Sequence, residues 1–327
     1  MEKPLVTPFT KLLGCRYPII AGPMFLVSDE KLVSAVSNAG ALGAMPSLNW
    51  RTTEEFRKVI RKVKTMVKDQ PFGVNLIVNK SNVRAAADLK ICADEGVPLV
   101  ITSLGSPRDT IAAMHSSGGK VFCDVTTLDY AKKVEDLGAD GLIAVSAGAG
   151  GHAGPTSPLV LLPYLRKHTK LPIVAAGGIA TGEQVAACLL LGASAVQVGT
   201  RFIASKEAKV DAAYKQAILK AQPDDIVLTK KISGTPAAVI RTAYVDKQGL
   251  ELNPLEEFLM KHDLTKKYTK MARSLWGAYL LQNAAKGATW KEVWSAGQGV
   301  GLIDSILPCE EIVQMLIREC RAAKVPG

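Results

Sequence analysis

One imidazole in a glycine-rich turn, Ser146-Ala147-Gly148-Ala149-Gly150-Gly151-His152-Ala153-Gly154, is the best-placed chemistry in this chain. It follows Gly141-Leu142-Ile143-Ala144-Val145, an apolar run of strand length. Glycines let a ligand approach the backbone closely and permit positive φ. A histidine held there titrates near neutrality. The combination suits a flat ligand lying on the backbone with a proton moving beside it. A lone histidine is ordinarily a satisfied structural residue, but a flexible strand-end turn favours function. His115 near a helix end, His168 in Arg166-Lys167-His168 and His262 in a charged helix receive no chemical role.

Other apolar runs end in equally distinctive residues. They finish in Ala21-Gly22-Pro23-Met24, Gly73-Val74-Asn75, Cys123-Asp124, Ala175-Ala176-Gly177-Gly178-Ile179-Ala180 and Gln197-Val198-Gly199-Thr200-Arg201. Gly177, Gly178, Gly199 and Thr200 can present backbone N–H groups, and Thr200 adds a hydroxyl. Loops after strands seven and eight are where barrels commonly hold phosphate. Either pair alone reads as a tight turn; two in consecutive units favour a phosphate site.

The elements that must position these residues alternate regularly. Strands are expected at Pro18–Ala21, Leu42–Met45, Phe72–Asn75, Leu99–Thr102, Lys120–Asp124, Gly141–Ser146, Ile173–Ala176 and Ala195–Gly199. Amphipathic helices are expected between them, at Asp29–Asn38, Thr53–Lys68, Asn82–Asp94, Leu128–Leu137 and Gly182–Leu191. Gly40, Gly96, Gly118, Gly138 and Gly192 stand where helices should end in αL. Almost wholly apolar strands suit a parallel sheet covered on both faces. Eight such units imply an α/β fold, a (β/α)8 TIM barrel. A doubly wound sheet is the competitor, disfavoured by the lack of a Gly-x-Gly-x-x-Gly turn after the first strand.

After Phe202 the rhythm changes. Lys206–Ala221 and Leu255–Lys286 read as helices with little strand signal between. The expected domains are a barrel over 1–205 and 289–327, and a smaller, mainly helical cap over 206–288. The chain should return through Trp294–Ile303 to a last helix near Glu310–Ala323 that packs on the barrel. Tyr244, Trp276 and Tyr279 either line an apolar substrate pocket or form the core of the cap.

In order, Ala21-Gly22-Pro23-Met24, Ala35-Val36-Ser37-Asn38-Ala39-Gly40, Pro71-Phe72-Gly73-Val74-Asn75, Gly150-Gly151-His152-Ala153-Gly154, Ala176-Gly177-Gly178-Ile179 and Gln197-Val198-Gly199-Thr200-Arg201 resemble the nitronate monooxygenase (2-nitropropane dioxygenase) family. Ser295-Ala296-Gly297-Gln298 and Gly301-Leu302-Ile303 extend the resemblance to nearly the whole chain. Enoyl-ACP reductase II and NADH:quinone reductases share the superfamily. The resemblance implies non-covalent FMN with its phosphate on Gly177, Gly178, Gly199 and Thr200. It sets the isoalloxazine against Ala21, Gly22, Pro23 and Met24, with Asn75 and Gln197 as polar contacts. It also brings Ala149, Gly150 and Ala176 to the flavin. Asp124 reaches the ribityl hydroxyls or is a salt-bridged rim carboxylate, and Gln298 closes the site. His152 matches the family's catalytic histidine. Two departures stand out. Gly148 occupies a position where relatives often carry Glu, so no carboxylate accompanies the imidazole. Ala238 stands where a related segment often has Arg.

The implied activity is FMN-dependent oxidation of alkyl nitronates with O2 to carbonyl compounds and nitrite. The alternative keeps FMN and uses NAD(P)H to reduce an enone, an enoyl thioester or a quinone. A flavin-free lyase or isomerase binding a sugar phosphate, and a non-catalytic flavin binder, remain open.

Bulk properties agree. A chain of 327 residues, 48% apolar, with mean hydropathy +0.15 can bury a full core. The net charge of +10 lies largely in Arg57–Lys68 and Lys261–Lys270. It suits anionic ligands; without aromatic interleaving or a recognition helix it does not suggest nucleic acid. The start lacks a signal-peptide core, and the apolar stretch Val185–Val198 is interrupted by Gly192, Ser194 and Gln197, so a cytoplasmic protein with no membrane span is expected. Cys15, Cys92, Cys123, Cys188, Cys309 and Cys320 show no CxxC or ligand spacing, so no metal is expected and they read as buried small hydrophobes. The partners are a small-molecule substrate and O2, and a homodimer is compatible with the sequence.

Overall fold

The computed structural model describes residues 2–230, 236–251 and 293–324. Eight parallel strands close into a barrel: β1 (Ile19–Ala21), β2 (Leu42–Pro46), β3 (Phe72–Ile77), β4 (Leu99–Ser103), β5 (Lys120–Val125), β6 (Gly141–Val145), β7 (Ile173–Ala176) and β8 (Ala195–Val198). Closure comes from β8 pairing with β1, Ile19 with Val196, Ile20 with Gln197 and Ala21 with Val198. Every strand expected from the sequence is present, with no end shifted by more than two residues.

Successive residues of a strand point to opposite faces, and here the two faces form two cores. Ile19, Ala21, Val74, Val100, Val121, Leu142, Ala175 and Val196 pack outward under the helices. Ile20, Leu42, Ala44, Leu99, Ile101, Phe122, Ile143, Val174, Ala176 and Ala195 fill the interior. A short helix, α1 (Pro8–Leu13), plugs the N-terminal end: the ring of Phe9 meets Phe122 edge-on at 5.9 Å. The interior is therefore packed below and can be polar only towards the C-terminal mouth.

The surrounding helices are α2 (Glu30–Asn38), α3 (Thr53–Met66), α4 (Ala85–Asp94), α5 (Arg108–Ser116), α6 (Leu128–Asp136), α7 (Pro158–His168) and α8 (Gly182–Leu190). Side-chain caps start several of them. Thr52 with Glu55, and Thr181 with Gln184, form capping boxes. The five glycines expected to end helices all have positive φ, between +63° and +100°. All six cysteines are buried. Asp140 accepts from the Val121 N–H and pairs with His115 at 2.7 Å, which gives that histidine a structural role. His168 packs edge-on against Tyr164.

Beyond β8 come α9 (Thr200–Ile203), α10 (Ala212–Lys220), β9 (Ile226–Thr229), β10 (Ala237–Ile240), α11 (Ala243–Gln248) and α12 (Cys309–Ala322). The expectation of little strand signal here is overturned. β9 and β10 pair antiparallel over Ile226–Ile240 to Thr229–Ala237. Their runs Ile226-Val227-Leu228-Thr229 and Ala237-Ala238-Val239-Ile240 are short and apolar, too brief to stand out beside the helix pattern. The expected helical stretch Leu255–Lys286, with His262, Trp276 and Tyr279, lies outside the described residues, as do Gly234 and Thr235. Tyr244 lies on α11. Among the described residues no helix is long and apolar enough to cross a membrane.

The last helix packs on the barrel wall as expected, against α8 and α2. Gly182 allows this: a Cβ there would lie 2.3–2.4 Å from Glu319 Cβ, the Cys320 nitrogen and the Leu316 oxygen. Backbone atoms cannot swing aside. Gly182→Ala should therefore lower stability by about 1–3 kcal/mol, read from urea unfolding; an unchanged midpoint would show that α12 docks loosely.

Candidate active site

The inward register, followed one step beyond the apolar core, defines the floor of the mouth. Two residues after Ile20, Gly73, Ile101, Phe122, Ile143 and Ala195 come Gly22, Asn75, Ser103, Asp124, Val145 and Gln197; Ala176 ends β7 on the same face. The floor thus divides into a polar arc on β3, β4 and β5 and a small apolar arc on β6 and β7, with Gln197 beside Gly22. A Cβ on Gly22 would lie 3.1 Å from Gln197 Cγ.

The polar arc is one hydrogen-bonded chain. Asn75 Nδ2 donates to the Ile101 carbonyl at 3.1 Å and to Ser103 Oγ at 2.7 Å. Ser103 Oγ donates to Asp124 Oδ2 at 2.5 Å. Asp124 Oδ1 and Gln197 Oε1 are buried without a protein partner. Asp124 has no ion pair among the described residues, so the salt-bridged rim reading does not hold. Burial pushes its pKa up to about 6 against the opposing Ser103 bond.

The histidine turn is locked by two segments distant in sequence. Gly151 and Ala238 exchange backbone hydrogen bonds at 3.1 and 2.8 Å. Val239 bridges Ser295, and Ile240 N–H donates to the Trp294 carbonyl. β10 thus links the turn to the returning segment. That segment then inserts into the turn: Gln298 N–H donates to the Gly148 carbonyl at 2.9 Å. The approach is so close that a Cβ on Gly150 would lie 2.9 Å from Ala296 C, and one on Gly297 would lie 2.5 Å from Gly148 O. Gln298 Oε1 stands 3.3 Å from where a Gly148 Cβ would be, and Gly148 has φ +87°. A carboxamide from another segment therefore stands over the position that lacks a carboxylate. Ala149 lies within the same interlock.

His152 is exposed at the mouth, yet partial desolvation by the packed loops lowers its pKa below the ordinary value.

The glycines after β7 and β8 follow neighbouring strands. Gly177 (φ +135°) and Gly178 (φ +69°) turn the chain after β7. A Cβ on Gly178 would meet nothing nearer than Gly148 O at 3.7 Å, and one on Gly199 nothing nearer than Met24 Sδ at 3.8 Å. These are open faces. Thr200 Oγ1 accepts from Gly297 N–H at 3.0 Å, which leaves its own hydrogen to donate. Arg201 points away: it is 2% exposed and donates to the Ser305 carbonyl at 2.7 Å.

Ala21, Gly22, Pro23 and Met24 begin a tied loop. Ser28 Oγ donates to the Gly22 carbonyl and accepts from Met24 N–H. Asn49 clamps it from outside, accepting from Leu26 N–H and donating to the Ser28 carbonyl, both at 2.8 Å. Ser103, Asn49 and β10 were not singled out from the sequence. Ser103 was readable as the next inward position after Ile101; Asn49 carries no local signal.

A closed (β/α)8 barrel with a glycine cradle after β7 and β8 and a histidine turn after β6 defines a class of enzymes with its site at the C-terminal mouth. The nitronate monooxygenase family model matches residues 6–319, and the chain belongs to that family. It is an oxidoreductase. A nitronate monooxygenase from Pseudomonas aeruginosa is 32% identical, covering 96% of this chain and 99% of its own length. A (3aS,4S,5R,7aS)-5-hydroxy-7a-methyl-1-oxo-octahydro-1H-indene-4-carboxyl-CoA dehydrogenase from Mycobacterium tuberculosis is 31% identical, covering 96% and 95%. The solved structure of FabK from Thermotoga maritima superposes with a TM-score of 0.82 at 34% identity over 97% of both chains.

The raised Asp124 pKa has a consequence for stability. Its folded value of about 6 lies above the roughly 3.9 of an unfolded carboxyl. The folded state therefore holds this proton more tightly. The contribution is present below about pH 4 and is lost as pH rises to about 6. Apoprotein stability relative to Asp124→Asn should fall by about 2 kcal/mol across that window. Urea unfolding at a series of pH values reads it, and a difference that ignores pH would contradict the assignment.

Proposed function

We propose that this protein oxidises alkyl nitronates on bound FMN, with O2, to carbonyl compounds and nitrite. The observation that carries the reading is a histidine on a glycine turn braced by two remote segments, at a mouth whose floor offers unpartnered polar oxygens and an open glycine cradle. FMN, when bound, supplies the electron acceptance and the reaction with O2.

The residues present fit that group. Gly177, Gly178, Gly199 and Thr200 would take its phosphate through backbone N–H groups and the Thr200 hydroxyl. Ala21–Met24 would support the ring plane, and Asn75 and Gln197 would meet its polar edge. Asp124 Oδ1, an orphan acceptor, suits a ribityl hydroxyl. Ala149, Gly150, Ala176 and Gln298 would complete the enclosure.

His152 would act on the substrate. A neutral imidazole can remove a proton from a carbon acid or direct an N–H to an anionic oxygen. Leu26 and Leu104, exposed on the loops after β1 and β4, would give the apolar part of the substrate a surface. Both leucines have positive φ, a strained conformation for such residues. The same reading places the protein in the cytoplasm as a small-molecule enzyme.

A second reading keeps FMN and reduces an enoyl thioester or a quinone with NAD(P)H. The carboxyl-CoA dehydrogenase relative favours the thioester form.

Anaerobic mixing separates the two. Rapid bleaching of the flavin by an alkyl nitronate, with no bleaching by NADH or NADPH, is expected; the reverse pattern transfers the assignment to the second reading. A purified protein that takes up no FMN would exclude both. His152→Ala should keep its FMN and lose about 10²–10³-fold in turnover, measured with nitronate and O2 consumption.

A further inference from the structure

We propose that Ser103 and Asp124 are positioning residues that lock the Asn75 carboxamide with its Oδ1 as the acceptor offered to the flavin. The inference deepens the FMN reading and rests on it.

The argument is one of hydrogen-bond polarity. A carboxamide nitrogen has two hydrogens, and both are committed in Asn75, to the Ile101 carbonyl and to Ser103 Oγ. A hydroxyl has one hydrogen, and that of Ser103 goes to Asp124 Oδ2. Towards Asn75, Ser103 therefore presents only lone pairs. Ionised above its pKa of about 6, Asp124 ends the chain as an acceptor at Oδ2. The direction of the whole chain follows from that end.

Reversal of the Asn75 amide is blocked. Turned over, Oδ1 would face the Ile101 carbonyl and a Ser103 oxygen with no hydrogen left to give. Two acceptor–acceptor contacts would replace two hydrogen bonds, each worth about 1 kcal/mol with more lost on burial. The remaining polar atom of Asn75 is Oδ1. It is not among the buried orphans, and Asn75 stands in the inward register at the mouth. It can only accept, so it selects an N–H or O–H donor of the ligand.

A purely structural ladder would not need this composition. Deeper in the barrel the inward positions of the same strands are filled by Leu99, Ile101 and Phe122. Apolar side chains at 103 and 124 would continue that packing without a carboxyl that burial disfavours. The polar chain lies on the mouth side of these apolar positions.

The test is a double-mutant cycle on FMN affinity. Apoproteins of wild type, Asn75→Ala, Ser103→Ala and the double variant are titrated with FMN, with quenching of flavin fluorescence as the readout. Urea unfolding establishes that each is folded. Asn75→Ala and Ser103→Ala should each weaken binding by about tenfold. The double variant should match Asn75→Ala within about twofold, because Ser103 acts through that side chain. Both single variants should shift the visible band of bound FMN in the same direction. If Ser103→Ala does not fold, Ser103→Cys keeps the volume, gives up most of the hydrogen bonding and must show the same pattern. Additive losses, or an Asn75→Ala loss that Ser103→Ala does not share, overturn the inference alone. Wild-type protein that binds no FMN overturns the proposed function and the inference together.

Discussion

Closure of the barrel is the constraint on which the rest depends. Once β8 pairs with β1, each strand has one face turned inward, and its side chains alternate with a period of two. That rule settles which residues fill the interior and which meet the helices. It also settles the mouth. An inward residue near the N-terminal end must be apolar, because α1 seals that end with Phe9. An inward residue at the other end meets ligand and solvent and can be polar. Ser103, Asp124 and Gln197 are the last inward positions of their strands and Asn75 is the last but one of β3, so their placement follows from the same geometry that makes the core.

The histidine turn depends on a second kind of contact. A loop rich in glycine has little to hold it: it lacks side chains and costs entropy to order. Here backbone from two remote segments supplies the order. Ala238 pairs with Gly151, and Gly297 and Gln298 press into Gly148 and Gly150 at distances no Cβ would allow. The glycines permit flexibility in the isolated turn and close packing in the folded one. Rigidity at His152 is thus a product of assembly, as a site that must hold a proton near a ligand requires.

Much of this was legible in the chain. Strands of four to six apolar residues, helices with Thr and Asp caps and glycines after them are local signals, set by backbone sterics and side-chain entropy. They led to the strand count and thereby to the barrel. The glycine pairs after β7 and β8 were readable because a cradle needs backbone without side chains. β9 and β10 were not, because four-residue runs pair only when a partner is already close. Asn49 was not, because its clamp on Leu26 and Ser28 joins loops more than twenty residues apart.

Asp124 marks the boundary between the two levels most sharply. Its position at a strand end follows from local periodicity, since residue type and spacing fix which face it takes. Its state does not. Whether it salt-bridges, binds a hydroxyl or terminates a chain depends on which strands flank β5, and the barrel brings Ser103 and Asn75 there. The same holds for Gly148, which reads in isolation as a missing carboxylate and in the fold as a place filled by Gln298 from 150 residues away. Local pattern specifies elements because sterics act between neighbours. Charge, hydrogen-bond direction and solvent access are set by whatever the fold brings within a few ångströms, and that neighbourhood forms only when the barrel closes.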